Sequence, residues 1–150
     1  REFLADYSGV SKKNIILSAG SDPLLREIIH VFSRRRKVIM VNPSFFPTVQ
    51  RAKEFVTKLI KIQFRPPEFN LDADVITNEI NEPSLVIIDN PNNPTGKILI
   101  DREMAKTILD NKNALLVVVY ILLTVYESPL LVKLPILAIS MAVQLGLVRL

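Results

Sequence analysis

The chain has 150 residues and a formal net charge of +4, and 49% of its residues are hydrophobic. A chain of this length is one domain's worth of sequence and can bury a sizeable core. It contains no cysteine, which excludes both a disulfide framework and a cysteine-based metal site.

Strands and helices alternate along the predicted chain. Short apolar runs next to turn residues predict the strands, and apolar residues at helical spacing predict the helices. The predicted strands are residues 14–17, 38–41, 56–62, 85–89, 115–119 and 137–139. The predicted helices begin at Asp22, at Pro47, at Asp72 or Asp74, and at Asp101, and they end near residues 32, 55, 80 and 109. This order predicts an α/β fold with three layers and a mostly parallel, doubly wound sheet.

Residues 90–96, Asn-Pro-Asn-Asn-Pro-Thr-Gly, directly follow the predicted strand 85–89. Two prolines in seven residues exclude a helix and a central strand. Pro94 restricts Asn93 to an extended conformation, and Gly96 accepts backbone angles that other residues resist. The pattern predicts a rigid loop at the carboxyl end of a strand, where open α/β sheets bind ligands. The alternative is an ordinary turn rich in Asn, Pro and Gly.

This string resembles the signature of the fold-type-I pyridoxal-phosphate (PLP) aminotransferases, most closely that of the histidinol-phosphate aminotransferase branch. In that family the Asn before Pro-Thr-Gly bonds the phenolic oxygen of the cofactor, and the resemblance gives this role to Asn93. Residues 1–110 follow the family pattern, whereas residues 111–150 depart from it. Family members are more than twice as long. The resemblance therefore implies that residues 1–150 form a single, partial PLP-binding large domain, without the family's amino-terminal arm and carboxyl-terminal small domain.

Two further segments resemble cofactor-binding segments of the family. Gly20-Ser21-Asp22 precedes a predicted helix, where free N–H groups and the helix dipole can hold a phosphate. The resemblance implies that Ser21 and Asp22 donate backbone N–H groups to the cofactor phosphate; simple helix capping by Asp22 is the alternative. In residues 42–46, Phe45 takes the place of a family Tyr that stacks on the pyridine ring. Phe45 can stack but cannot hydrogen-bond, and two adjacent Phe residues also suit a core.

The family's catalytic groups have no counterpart in residues 111–150. The family Asp that pairs with the pyridinium nitrogen, and so keeps the ring an electron sink, falls at Tyr120 when residues are counted from Asn93 without gaps. Alternatively, Tyr120 is the family's own Tyr and the three residues before it are absent. Ser140 and Arg149 keep the separation of the family's Ser and phosphate-binding Arg, but Met141 stands where the Schiff-base Lys belongs. A deletion after Ser140 is equally open, and both interpretations leave the chain without the nucleophile.

The resemblance implies a PLP-dependent aminotransferase that moves an amino group between histidinol phosphate and 2-oxoglutarate in histidine biosynthesis. Its small-molecule partners are then an amino donor and a 2-oxo acid, and the full-length protein is a homodimer. Two alternatives stay open. One is a catalytically inactive homologue or fragment that keeps the PLP-binding scaffold, and the other is a PLP enzyme similar to threonine-phosphate decarboxylase.

The last 40 residues carry only four charged side chains, and residues 114–125 are almost wholly apolar. A membrane-spanning helix needs about 20 apolar residues, and Glu127 and Pro129 end this run, so a buried parallel strand explains it better. An interaction or membrane-associated protein built on these residues is a third hypothesis. The one basic cluster, residues 34–37, lies at the end of a predicted helix and lacks interleaved aromatics. We therefore expect no nucleic-acid partner and no membrane, and the lack of cysteine and of a signal peptide favours the cytoplasm.

Overall fold

The computed structural model describes residues 1–119. Its helices and strands, in chain order, are α1 (Glu2–Ser8), a 3₁₀ helix (Lys12–Asn14), α2 (Ser21–Phe32), β1 (Lys37–Asn42), α3 (Phe46–Phe55), β2 (Leu59–Gln63), α4 (Ala73–Thr77), β3 (Ser84–Asp89), α5 (Arg102–Leu109) and β4 (Ala114–Val119). The four strands form one parallel sheet in the order β2-β1-β3-β4. The predicted strand 137–139 lies outside the described residues.

β1 is a central strand of this sheet, with β2 on one side and β3 on the other. Val38 of β1 lies opposite Leu59 of β2 on one side and opposite Leu85 of β3 on the other. The strand order therefore reverses between β1 and β3, and their carboxyl ends form a topological switch point. In open α/β sheets this crevice is where ligands bind.

Alternate side chains of each strand enter two separate cores, because successive residues of a strand point to opposite faces. Val38 and Met40 pack against α2 and α3, whereas Ile39 and Val41 pack in the cluster that contains residues of α4 and α5. Every residue of β3 is buried, as a central parallel strand covered on both faces requires. The predicted fold, three layers around a doubly wound parallel sheet, is confirmed.

Helix signals in the sequence predicted most helix starts. α5 begins after Asp101, whose Oδ1 accepts a hydrogen bond from Met104 N at 2.8 Å. α2 begins directly after Gly20, whose φ of 102° favours glycine. α4 follows Asp72 but ends at Thr77 rather than near residue 80.

The predicted strand at residues 14–17 is wrong. A 3₁₀ helix covers Lys12–Asn14, and the residues after it have no regular structure. Ile16 and Leu17 are 59% and 56% exposed. A short apolar run becomes a strand only when a neighbouring strand pairs with it, and no described strand does so. Among residues 1–119, no helix combines the length and apolar character that crossing a membrane requires.

Candidate functional site

The loop after β3 is closed by its own hydrogen bonds. Asn92 N donates to Lys97 O at 2.7 Å, and Gly96 N donates to Asn92 O at 2.7 Å. The Asn92 Oδ1 atom accepts from Thr95 Oγ1 at 2.7 Å. Gly96 has a φ of 70°, the positive value that the sequence predicted for this position. Residues 90–96 therefore form a closed loop directly after β3, where the sequence predicted a loop.

Two buried amides anchor this loop to the rest of the fold. Asn90 Nδ2 donates to Ile100 O at 3.0 Å, and its Oδ1 accepts from Leu99 N at 2.9 Å. Asn92 Nδ2 donates to Pro43 O at 3.0 Å and so joins the loop after β3 to the loop after β1. Buried amides need such partners. Asn93 differs from both, because it is exposed and its side chain makes no hydrogen bond within residues 1–119.

Asp89, the last residue of β3, holds the loop after β1. Its Oδ2 accepts from Ser44 Oγ at 2.7 Å and from Phe45 N at 2.6 Å. The carboxyl group is fully buried, and its Oδ1 has no hydrogen-bond partner among residues 1–119. Burial raises the pKa of Asp89, and the hydrogen bonds from Phe45 N–H and the Ser44 hydroxyl oppose that rise.

The two adjacent phenylalanines lie where β1 passes into α3. Phe45 is half-buried and immediately precedes α3, and Phe46 is 69% exposed. Neither belongs to the two buried cores of the described residues, so the core interpretation of this pair is wrong. The Phe45 ring remains partly open at the carboxyl edge of the sheet.

Among residues 1–119, no side chain caps the start of α2. The Asp22 carboxylate instead bonds the Arg51 guanidinium of α3, with Nη2 3.0 Å from Oδ2 and Nε 3.3 Å from Oδ1. This hydrogen bond from Arg51 lowers the pKa of Asp22. Helix capping by the Asp22 side chain is therefore wrong. Within residues 1–119, the first N–H groups of α2, including those of Ser21 and Asp22, have no side-chain acceptor, and such groups suit an anion.

The fold brings these groups to one edge of the sheet. α2 ends at Phe32, shortly before β1 begins at Lys37, so α2 starts near the carboxyl ends of the strands. The loops after β1 and β3 meet there through Asp89 and Asn92. An open depression of about 410 Å³ lies elsewhere, lined by residues such as Ile98 and Met104, and contains none of the predicted site residues.

Four predicted site residues lie outside the described residues: Tyr120, Ser140, Met141 and Arg149. Val119 pairs with Asp89, and its carbonyl oxygen accepts a hydrogen bond from Asn90 N at 2.8 Å. The position that precedes Tyr120 is thus at the carboxyl edge beside the loop 90–96.

Sequence reasoning missed Asp89, Asn92 and Arg51 as residues that build the site. One signal for Asp89 was available, since a carboxylate that ends an apolar buried strand is rarely buried without partners. Arg51 carried no comparable signal, because its partner Asp22 is 29 residues away in the sequence.

The chain resembles known proteins over most of its length. Residues 1–121 match the family described as aminotransferase class I and II. The histidinol-phosphate aminotransferase of Clostridium novyi is 33% identical over an alignment of 121 positions, which covers 75% of this chain and 32% of that protein. The chain thus spans about a third of the length of this curated relative.

Solved structures share the fold. A proposed histidinol-phosphate aminotransferase from Erwinia carotovora atroseptica has a TM-score of 0.69 and 24% identity, over 78% of this chain and 35% of its own. A PLP-bound, proposed aminotransferase from Clostridium difficile 630 has a TM-score of 0.55 and 23% identity. The likeness covers 67% of this chain and 28% of that one. These likenesses agree with the match over residues 1–121. The chain belongs to the class I and II aminotransferase family.

Proposed function

We propose that the protein represented by this chain is a PLP-dependent aminotransferase that moves an amino group between histidinol phosphate and 2-oxoglutarate. The observation that carries this proposal is the closed loop 90–96 at the switch point, which leaves the Asn93 amide exposed while Asn90 and Asn92 are buried. The name of the Clostridium novyi relative supports the choice of histidinol phosphate. Histidine biosynthesis is then the pathway.

The residues at the carboxyl edge fit PLP. The uncapped start of α2 suits the phosphate, with Ser21 and Asp22 donating their backbone N–H groups. Arg51 pairs with the Asp22 carboxylate, so that this negative charge is balanced where a dianion would bind. The Phe45 ring suits stacking on the pyridine ring, and the Asn93 amide suits the phenolic oxygen.

When bound, PLP supplies the electron sink for amino-group transfer. The chain's own described residues would bind and orient it: Ser21 and Asp22 at the start of α2 would hold the phosphate, Phe45 would stack on the ring, and Asn93 would donate to the phenolic oxygen. Ser140 and Arg149 are proposed phosphate ligands by resemblance alone, and Tyr120 is proposed at the pyridinium position. Met141 cannot form a Schiff base, because a thioether has no amine. We infer that the 150-residue chain binds PLP without a covalent bond and does not catalyse transfer.

The remaining proposals concern the whole protein. Residues 1–150 would form part of a PLP-binding large domain, and the rest of the large domain with the small domain would complete the enzyme. The full-length protein would be a cytoplasmic homodimer that takes an amino donor and a 2-oxo acid. The alternative activity, decarboxylation of threonine phosphate, would release CO₂ and require no 2-oxo acid. Supplying each substrate set to the full-length protein separates the two reactions.

The first test is binding and reduction of PLP by the 150-residue chain. Titration with PLP, followed by its absorbance, should show saturable binding, and borohydride reduction should leave the intact mass unchanged. Asn93→Ala should weaken binding about tenfold, as expected for the loss of one hydrogen bond to a charged group. Asn70→Ala is the matched control, because Asn70 is also exposed but lies outside the site. A phosphopyridoxyl adduct on one lysine would contradict the non-covalent mode, and absence of saturable binding would refute the cofactor site.

A further inference from the structure

Asp89 is a buried carboxylate whose side-chain hydrogen bonds within residues 1–119 all come from Ser44 and Phe45. Its Oδ2 accepts both described hydrogen bonds, from Ser44 Oγ and from Phe45 N, and its Oδ1 has no partner within residues 1–119. An apolar residue at the end of β3 would avoid the desolvation of a carboxylate. The carboxylate at this position is therefore explained best by the two groups that it holds, Ser44 Oγ and Phe45 N.

The segment that Asp89 holds carries the Phe45 ring. Phe45 is the residue before α3, and in the described part of the chain no side chain caps that helix. Its N–H group donates to Asp89, which lies 44 residues later in the sequence. The carboxylate thus ties the backbone of Phe45 to the end of β3, beside the loop that presents Asn93. A second tie, from Asn92 Nδ2 to Pro43 O at 3.0 Å, joins the same two loops.

We propose that Asp89 is a positioning residue of the cofactor site: it fixes the backbone of Ser44 and Phe45 and thereby sets where the Phe45 ring meets PLP. This inference rests on the proposed function, since it assigns Phe45 to the cofactor ring. Asp89 itself does not need to touch PLP. Because Asp89 affects the cofactor by positioning Phe45, we expect substitutions of Asp89 and Phe45 to have non-additive effects on PLP binding.

Two variants of Asp89 distinguish the loss of its hydrogen-bond acceptor from the loss of its negative charge. Asp89→Ala removes the acceptor of both hydrogen bonds. Asp89→Asn keeps one oxygen that can accept both bonds, and its amide group replaces the unpartnered oxygen. Ser44→Ala removes one of the two bonds and leaves Asp89 in place. Asp110→Ala is the matched control, because Asp110 is exposed and lies at the end of α5.

Two measurements on the 150-residue chain test the proposal. Hydrogen–deuterium exchange without PLP should speed up in residues 43–49 of Asp89→Ala, and less in Ser44→Ala, while Asp89→Asn and Asp110→Ala stay near wild type. The Kd for PLP should rise about tenfold in Asp89→Ala and change less than about threefold in Asp89→Asn. In a Phe45→Ala background, Asp89→Ala should change the Kd less than about twofold, because residues that act as one unit are not additive.

The outcomes are distinguishable. Unchanged exchange in residues 43–49 of Asp89→Ala overturns the positioning role, even if wild type binds PLP as proposed. Faster exchange with additive effects of Asp89→Ala and Phe45→Ala on the Kd also overturns it, because Asp89 would then affect PLP binding independently of Phe45. Failure of the wild-type chain to bind PLP refutes the proposed function and the inference together. Faster exchange combined with non-additive effects supports the proposal, since a purely structural role would add to the effect of Phe45→Ala.

Discussion

Replacing Asn90 by alanine is expected to destabilise the fold strongly, although Asn90 stands only three residues from the exposed Asn93. Its side chain is the partner of Leu99 N at 2.9 Å and of Ile100 O at 3.0 Å. Leu99 and Ile100 are 6% and 4% exposed, so water cannot readily replace the lost amide. Two buried backbone groups left without partners cost about 1–3 kcal/mol each. Asn90→Ala should therefore lower the free energy of unfolding by about 2–6 kcal/mol, a large part of the stability of an ordinary domain.

Urea denaturation of the 150-residue chain, followed by circular dichroism, measures this effect. A loss of about 3 kcal/mol lowers the urea midpoint by about 1–3 M for a small protein. Asn93→Ala is the matched control, since Asn93 makes no side-chain hydrogen bond within residues 1–119. The control should shift the free energy of unfolding by less than about 0.5 kcal/mol. Equal midpoints for the two variants would refute the reasoning that Asn90, rather than the loop sequence as such, anchors this segment.

Two further predictions concern stability. Asp101 accepts the hydrogen bond that caps α5, so Asp101→Ala should lower the free energy of unfolding by about 1 kcal/mol; a urea curve that coincides with wild type would contradict this. Burial raises the pKa of Asp89, so the folded state favours the protonated acid. That stabilisation is complete below about pH 4 and is lost as the pH rises through the raised pKa. Asp89→Asn, which stays neutral, should therefore gain stability relative to wild type as the pH rises above about 4. A difference in free energy of unfolding between the two proteins that does not change with pH would contradict this prediction.

The strands that the sequence predicted well are those whose signal is local. β3 and β4 each begin one residue before their predicted starts, because polar and turn-forming residues precede each apolar run. The run at residues 14–17 is also apolar but forms no strand. Pairing depends on a neighbouring strand, and local sequence does not contain that information.

Within the loop 90–96, too, the sequence predicted the local features but not the contacts with distant residues. Proline and glycine chemistry predicted its rigidity, and the positive φ of Gly96 followed from glycine alone. The roles of its three asparagines were not predictable from composition. Asn90 and Asn92 are buried because their partners are Ile100 and Pro43, and the second of these lies 49 residues earlier.

The sequence by itself determined the fold class, the family and the position of the loop that presents Asn93, because periodicity, turn residues and the motif 90–96 are local properties. The tertiary structure alone decided the strand order that creates the switch point between β1 and β3. It also decided which polar groups meet there: Asp89 with Phe45, and Asp22 with Arg51. These pairs join residues 44 and 29 positions apart. Their partners are set by how the helices and strands pack, since hydrogen bonds depend on distance in space and not on separation along the chain.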